Sequence, residues 1–479
     1  MVTDPTLAKP FFDEPKNFVY KDIQAIYSHQ HPSLFTLPSM DYYKAIRKGV
    51  APAFNSSNLR QSFGRLSMLM TSAVDYIGRK GSGQSVDIYT LATRLTMNAI
   101  SLSIFGADLG DSADAWETRP KYACLFEPAI KWVIDSAPVP FIRYLTFIPA
   151  IRRKQAELRA LHAEQVRMVQ RLRTCNPSLS SLGGHLLALM DPATGKPLTD
   201  GQLEAEMATF FFAGYDTSSS AISWTLALLA THSHIQRQVE AELAGLGLLA
   251  TPEQPRPRAL TWQDLGSLDY LRKVIKESQR LFTVAATGTG RMLTKPMRVG
   301  RYDLAKGTLI HIPFNPMHRN PSAWDRPEEF SPDRFDVEGA DYLQPDASKD
   351  AESSAGAHEG VNSSGALAED AELHGGNLFQ EKLSSQPAAG MDRTERSQIR
   401  RYMPFSYGQR NCVGQNLANV TMLTFIATIC AKFTLALDPE MGGLEGVKEC
   451  AVVALTLQPK DKMLLQCTSR SGPAAQAPA

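Results

Sequence analysis

The stretch Phe405-Ser406-Tyr407-Gly408-Gln409-Arg410-Asn411-Cys412-Val413-Gly414 constrains this chain more than any other. One cysteine has a glycine four residues before it and another two residues after it. A helix-spaced apolar run then follows through Leu417, Met422, Phe425, Ile426 and Ile429. The pattern predicts a thiol on a tight turn, at the N-terminus of a helix starting near Gln415. Burial raises a thiol above its free pKa of about 8.5, so a buried thiolate needs compensating charge and donors. The positive end of the helix dipole and the turn amides offer both. Gly408 suits a left-handed turn position, Gly414 has no side chain to hold off a flat ligand, and Phe405 can cover the sulfur from water. A dry, hydrogen-bonded thiolate of this kind is a ligand for iron. A structural cysteine on an ordinary turn is the alternative, and it leaves the flanking residues unexplained.

Phe405, Gly408, Arg410, Cys412 and Gly414 match the pattern Phe-x-x-Gly-x-Arg-x-Cys-x-Gly, and in this the chain resembles the cytochrome P-450 family. The resemblance implies haem b (iron protoporphyrin IX) as cofactor, with Cys412 as the axial ligand of its iron and Phe405, Arg410 and Gly414 beside it. Tyr43-Lys44-Ala45-Ile46-Arg47 resembles the family's Trp-x-x-x-Arg, whose two polar side chains bind a haem propionate; tyrosine keeps a donor where tryptophan is usual. Arg291 falls near a second propionate-binding arginine.

Thr199 and Gln202 predict a capping box at the start of a long helix. Along it, Phe210-Phe211-Phe212-Ala213-Gly214-Tyr215-Asp216-Thr217 resembles the family's Ala-Gly-x-Asp/Glu-Thr segment, which crosses the haem face opposite the thiolate. The resemblance implies that Ala213 and Gly214 leave room for oxygen, with Gly214 loosening the helix because glycine costs about 1 kcal/mol there relative to alanine. It also implies that Thr217 hydrogen-bonds dioxygen or its protonating water, and that Asp216 feeds protons inward from solvent. Read without it, these residues are a polar patch in an apolar helix, which is costly when buried.

Glu277 and Arg280 stand at i and i+3, on one helix face, and resemble the family's Glu-x-x-Arg. Arg334, in Phe330-Ser331-Pro332-Asp333-Arg334-Phe335, resembles the arginine that joins that pair in a buried triad holding the cysteine loop. Phe210, Val284 and Ala285 are the substrate contacts that the resemblance implies. His311 and His318 read as satisfied or exposed histidines, not as iron ligands.

With 479 residues, 43% of them apolar, and a net charge of +1, the chain can build a large core and has no bias toward nucleic acid. Six cysteines without CxxC spacing predict reduced thiols. There is neither a basic-then-apolar leader nor a run of eighteen apolar residues. Val2–Lys9 resembles the segment leading into the family's B helix. The expectation is therefore a chain without the membrane anchor, first helix and first strands, through an incomplete reading frame or as a shortened isoform, with an exposed sheet edge.

Residues 20–40 are expected to form a loop over the substrate cavity, and Val86–Phe105 a core helix. Residues 119–150, rich in aromatics and prolines, match the family's cavity roof and membrane contact. Arg152-Arg153-Lys154 opens a basic helix face read as solvated. Residues 343–390 predict a disordered acidic insertion, Val452–Leu457 and Met463–Leu465 a hairpin lining the substrate pocket, and 468–479 a loose tail.

The fold expected is a single domain over 1–479, mainly α with small β-sheets (α+β), holding haem between the long helix and the helix after the cysteine loop. The function implied is a haem-dependent monooxygenase inserting one oxygen atom of O2 into an apolar organic substrate. Its electrons come from NADPH through a separate reductase, since the chain carries no flavin or nicotinamide fingerprint. The wording around Phe212–Thr217 and Leu457-Gln458-Pro459 resembles the microsomal branch, which implies the cytosolic face of the endoplasmic reticulum membrane. The alternatives are a haem-thiolate isomerase, dehydratase or peroxygenase, and a non-catalytic haem-binding shortened isoform.

Overall fold

A 32-residue helix, Asp200–Thr231, runs through the middle of the molecule. It opens on the predicted capping box: Thr199 Oγ1 accepts the Gln202 N–H at 3.3 Å and Gln202 Oε1 accepts the Thr199 N–H at 2.9 Å. From Ala205 to Leu229 every residue is buried except Ala213, Gly214 and Thr217. A helix with no polar face needs neighbours all round. The helices Ile88–Asn98, Pro149–Cys175, Asp269–Leu281 and Gln415–Lys432 supply them. Its internal hydroxyls bond back one turn, as Ser223 does to Ser219 O at 2.8 Å and Thr225 to Ala221 O at 2.7 Å.

The computed structural model describes residues 1–13, 18–19, 31–37, 39–107, 115–136, 139–337, 340–341 and 399–471. The predicted acidic insertion at 343–390 lies outside them, as do residues 20–30 of the predicted cavity loop and 472–479 of the predicted tail.

The sheets are small and antiparallel. Leu464–Ser469 lies between Ser85–Asp87 and Phe433–Leu437, with Leu465 opposite both Val86 and Leu437. Thr289–Leu293 lies between Phe18–Val19 and Leu309–Ile312. The mainly α architecture with small sheets is the one expected.

Three local expectations are corrected. Val452–Leu457 does not pair with Met463–Leu465. Instead the chain turns at Ala454-Leu455-Thr456 and Ala451–Val453 pairs with Leu457–Pro459, a strand that ends on a residue with no N–H to offer. Leu464 onward joins the other sheet, where a central place buries Leu465 and Cys467 between two partners. That strand extends through Ser469, so Thr468 and Ser469, expected to be loose, pair with Thr434 and Phe433. Third, Val86–Phe105 is not one helix: Val86 is in a strand, Ile88–Asn98 is α-helical, and Ala99–Phe105 widens to a π-helix closed by left-handed Gly106.

All six cysteines are free thiols. Among the described residues no helix is long and apolar enough to cross a membrane. Between the helices Lys121–Asp135 and Pro149–Cys175, Val139, Phe141, Ile142, Tyr144 and Phe147 are exposed.

Candidate active site

The cysteine loop is a series of tight turns closed on itself. The Ser406 N–H donates to Met403 O at 3.0 Å, Asn411 N–H to Gly408 O at 3.0 Å, and Cys412 N–H to Phe405 O at 2.9 Å. Gly408 has φ +76°, and a Cβ there would also stand 2.9 Å from Phe12 O, so both conformation and space call for glycine. The helix Gln415–Lys432 starts where predicted. Cys412 is exposed while Asn416 and Leu417, a turn further on, are buried. A Cβ on Gly414 would sit 3.9 Å from Cys412 Sγ and 4.0 Å from the Phe54 ring. Phe54 stacks in turn on Phe210 of the long helix, with ring centroids 5.8 Å apart, and so joins the cysteine loop to that helix.

Helical spacing puts Phe210, Ala213 and Thr217 on one face of the long helix, and two of these are among the three non-buried residues of its Ala205–Leu229 stretch. Thr217 Oγ1 donates to Ala213 O at 2.6 Å. Gly214, one turn on from Phe210, borders the same face. A Cβ there would come 2.1 Å from Ile100 Cδ1 and 3.0 Å from its Cγ1 in the π-helical segment, so packing against that side chain also favours glycine.

Asp216 lies inside the protein. It is 2% exposed, and its Oδ2 accepts the Thr456 hydroxyl from the tip of the Ala451–Pro459 hairpin. The Arg119–Glu127 pair acts on it across the interior, and burial pushes its carboxyl up to about 7.

Three arginines gather around the loop. Arg47 donates to Tyr43 Oη at 2.6 Å, to Asn411 O at 2.7 Å and to Asn411 Oδ1 at 2.5 Å, while Tyr43 Oη donates to Gln409 O at 3.0 Å. The Tyr-x-x-x-Arg pair is thus tied to the cysteine loop itself. Arg410 lies over the Tyr43 ring at 3.7 Å and donates to Leu37 O at 2.6 Å. Arg291 donates to Gly290 O at 2.9 Å and to Thr289 Oγ1. Arg291 and Arg410 line one pocket with Phe11, Phe12, Tyr407 and Gln409. Burial, and then Arg410, push Arg291 down to about 10, and among the described residues no carboxylate offsets either charge.

This donor set fits haem. A thiol at a helix start, a glycine beside its sulfur and two guanidinium groups facing a pocket with no carboxylate among its described lining residues match a flat metal complex bearing two acid chains.

The predicted triad forms. Arg280 Nε and Nη2 donate to the two Glu277 oxygens at 2.8 and 2.9 Å, and Arg334 Nε donates to Glu277 Oε1 at 2.9 Å. The side chains of Glu277 and Arg280 are 0% exposed, so protein partners rather than solvent must satisfy them. Arg280 also holds His318 O at 3.0 Å, Pro327 O at 2.6 Å and Glu329 O at 3.0 Å. His318 is buried with both ring nitrogens engaged; His311 Nε2 meets Thr287 O at 2.6 Å. Val284 is buried in the main core and its carbonyl accepts the Leu457 N–H at 2.8 Å; Ala285 packs on the cluster of Phe11, Phe12 and Phe314. Phe54, Asn411 and Thr456 were missed by sequence reasoning: none stands at a spacing that marks it, although Asn411 lies inside the loop motif.

The fold and the cysteine loop define a haem-thiolate class of protein. The sequence profile described as Cytochrome P450 matches residues 1–350 and 387–464, and the chain belongs to that family. It is 25% identical over 316 residues to cytochrome P450 3A28 of Bos taurus, across 64% of this chain and 60% of that protein. With cytochrome P450 3A18 of Rattus norvegicus it shares 25% over 327 residues, across 65% of this chain and 63% of that protein. The chain thus spans less than two thirds of the length of these curated relatives. Among solved structures, the heme domain of cytochrome P450DA superposes with TM-score 0.70 at 21% identity, over 98% of this chain and 87% of that one, a likeness of fold.

Proposed function

We propose that the chain is a monooxygenase that binds haem b through Cys412 and inserts one oxygen atom of O2 into a small apolar substrate. The observation that carries this reading is the joining, through Phe54, of the cysteine loop to the helix face of Phe210, Ala213 and Thr217. Haem, when bound, supplies the activation of dioxygen and the oxygen transfer.

The chain's own residues do the rest. The closed loop and the following helix hold the Cys412 thiolate, while Arg291 and Arg410 are placed to neutralise propionates. Thr217 keeps a mobile hydroxyl proton on the open face of the long helix, and Asp216, titrating near neutrality, can both give and take a proton beside it. Phe210, Val284 and Ala285 are the proposed substrate contacts. Glu277, Arg280 and Arg334 brace the segments leading to the loop.

Electrons come from NADPH through a separate reductase. The exposed Phe141, Ile142, Tyr144 and Phe147, near Arg152-Arg153-Lys154, suit contact with a lipid surface. Likeness to microsomal relatives supports the cytosolic face of the endoplasmic reticulum membrane.

The test is the absorbance difference spectrum of the reduced protein with carbon monoxide, followed by turnover with reductase. The expected result is a strongly red-shifted Soret band, absent from Cys412→Ala, with NADPH and O2 consumed in step with product. A band at the imidazole-like position, or turnover without NADPH and O2, overturns the reading.

A further inference from the structure

The hairpin tip Ala454-Leu455-Thr456 and the strand residue after it, Leu457, are joined to their surroundings at three points. The Thr456 hydroxyl donates to Asp216 Oδ2, Trp224 Nε1 donates to Leu457 O at 3.2 Å, and the Leu457 N–H donates to Val284 O at 2.8 Å. Thr456 is 5% exposed and Asp216 2%, so water cannot readily replace the hydroxyl. Leu455, the neighbour of Thr456, packs against the cluster containing Phe210 and Phe212.

Several groups face the Asp216 carboxyl. Glu127 comes from the Lys121–Asp135 helix, Arg119 from the segment before it, Tyr89 from the Ile88–Asn98 helix and Tyr215 from Asp216's own helix. Among the described residues, Thr456 is the one that hydrogen-bonds the carboxyl through a side chain. A threonine hydroxyl can donate to the ionised acid and accept from the protonated one, so it can serve both states from one position. Its β-branched side chain holds that position stiffly.

We propose that Thr456 is a positioning residue for Asp216: its hydroxyl fixes the carboxyl's orientation and ties proton delivery to the hairpin tip carrying Leu455. The inference rests on the monooxygenase reading, in which Asp216 passes a proton toward Thr217 and is left as a carboxylate. Thr456 bonds that carboxylate, and a proton from water restores the acid. A donor to the ionised form lowers a carboxyl's pKa, so removing the hydroxyl raises it.

The experiment uses the full chain with Thr456→Val, Thr456→Ser and Asp216→Asn. One readout needs no turnover: the pH titration, by infrared spectroscopy, of the protonated-carboxyl band that Asp216→Asn abolishes. The other is product formed per NADPH with reductase. Thr456→Val is expected to move the titration upward by about one pH unit and to divert electrons to peroxide. Thr456→Ser is expected to restore both. Should Thr456→Val fail to fold, Thr456→Ala gives the same reading. An unmoved titration with Asp216→Asn uncoupled overturns the tether and leaves the proton-delivery reading standing. Full coupling in Asp216→Asn overturns that reading instead, and the proposal with it.

Discussion

His318 Nε2 accepts the Met403 N–H at 2.9 Å, two residues before Phe405, while its Nδ1 meets Thr283 Oγ1 at 2.8 Å. An acceptor at Nε2 leaves the proton on Nδ1, so His318 donates to Thr283, whose own hydroxyl donates to Arg280 O at 3.0 Å. This neutral imidazole links the triad to the cysteine loop.

Burial, and then Arg280, push His318 down to about 3. Between that value and the unfolded value of about 6.5 the unfolded chain binds a proton that the native chain refuses, so this group's contribution to stability is lost on acidification. Asp216, raised to about 7, and Glu206, raised to about 8, act in the opposite sense, their contributions fading as pH rises through those values. His318→Gln keeps an acceptor without titrating. Its urea midpoint is expected to fall less than that of wild type between about pH 6.5 and 4.5; an equal fall refutes the neutral-imidazole link.

Glu277→Gln leaves the buried guanidinium of Arg280 and that of Arg334 without a countercharge. A loss of about 3–5 kcal/mol is expected, read as a collapsed urea midpoint of the haem-free chain. A loss under about 1 kcal/mol would mean that the backbone carbonyls alone satisfy Arg280.

Arg291→Gln removes a buried cation that no described carboxylate offsets. The expected pattern is a melting temperature of the haem-free chain at or above wild type, together with haem affinity weaker by about tenfold or more. Unchanged haem affinity would remove Arg291 from the cofactor site.

Thr217→Ala takes the hydroxyl from the open face of the long helix. Product per NADPH is expected to fall several-fold and peroxide to rise, with the carbon monoxide spectrum unchanged. Coupling equal to wild type would exclude Thr217 from proton handling.

Gly214→Ala tests whether packing sets that position. In wild type the new methyl meets Ile100 Cδ1 and Cγ1, whereas in an Ile100→Ala background it has room and adds about 1 kcal/mol of helix propensity. The double variant is therefore expected to exceed Ile100→Ala in stability, while Gly214→Ala alone gains nothing. Equal gains in both backgrounds would show that Ile100 does not constrain the site.

Features written in local spacing were legible in the sequence. Thr199 and Gln202 stand at capping distance, Glu277 and Arg280 at one helical turn, and Cys412 just ahead of an apolar helical run, so each carries its own partner or element with it. Contacts made across the fold were not. Thr456 reaches Asp216 from 240 positions away, and nothing in either neighbourhood announces the other. The final strand was assigned to the wrong partner because alternation in Leu464–Ser469 fixes a strand but not its neighbours. Helical phase sets Gly214 beside the open face, but it does not say where a neighbouring π-helical turn, and with it Ile100, will come.

The central place of Leu464–Ser469 has a consequence for biosynthesis. Its two partners are Ser85–Asp87 and Phe433–Leu437, so during translation the first of them waits until Leu464, far along the chain, has been made. The elements bracing Cys412 emerge from the ribosome earlier. A nascent chain arrested a few codons before Leu464 therefore holds every proposed haem-site side chain and still has an open sheet edge, the kind of surface that chaperones shield until the missing strand emerges.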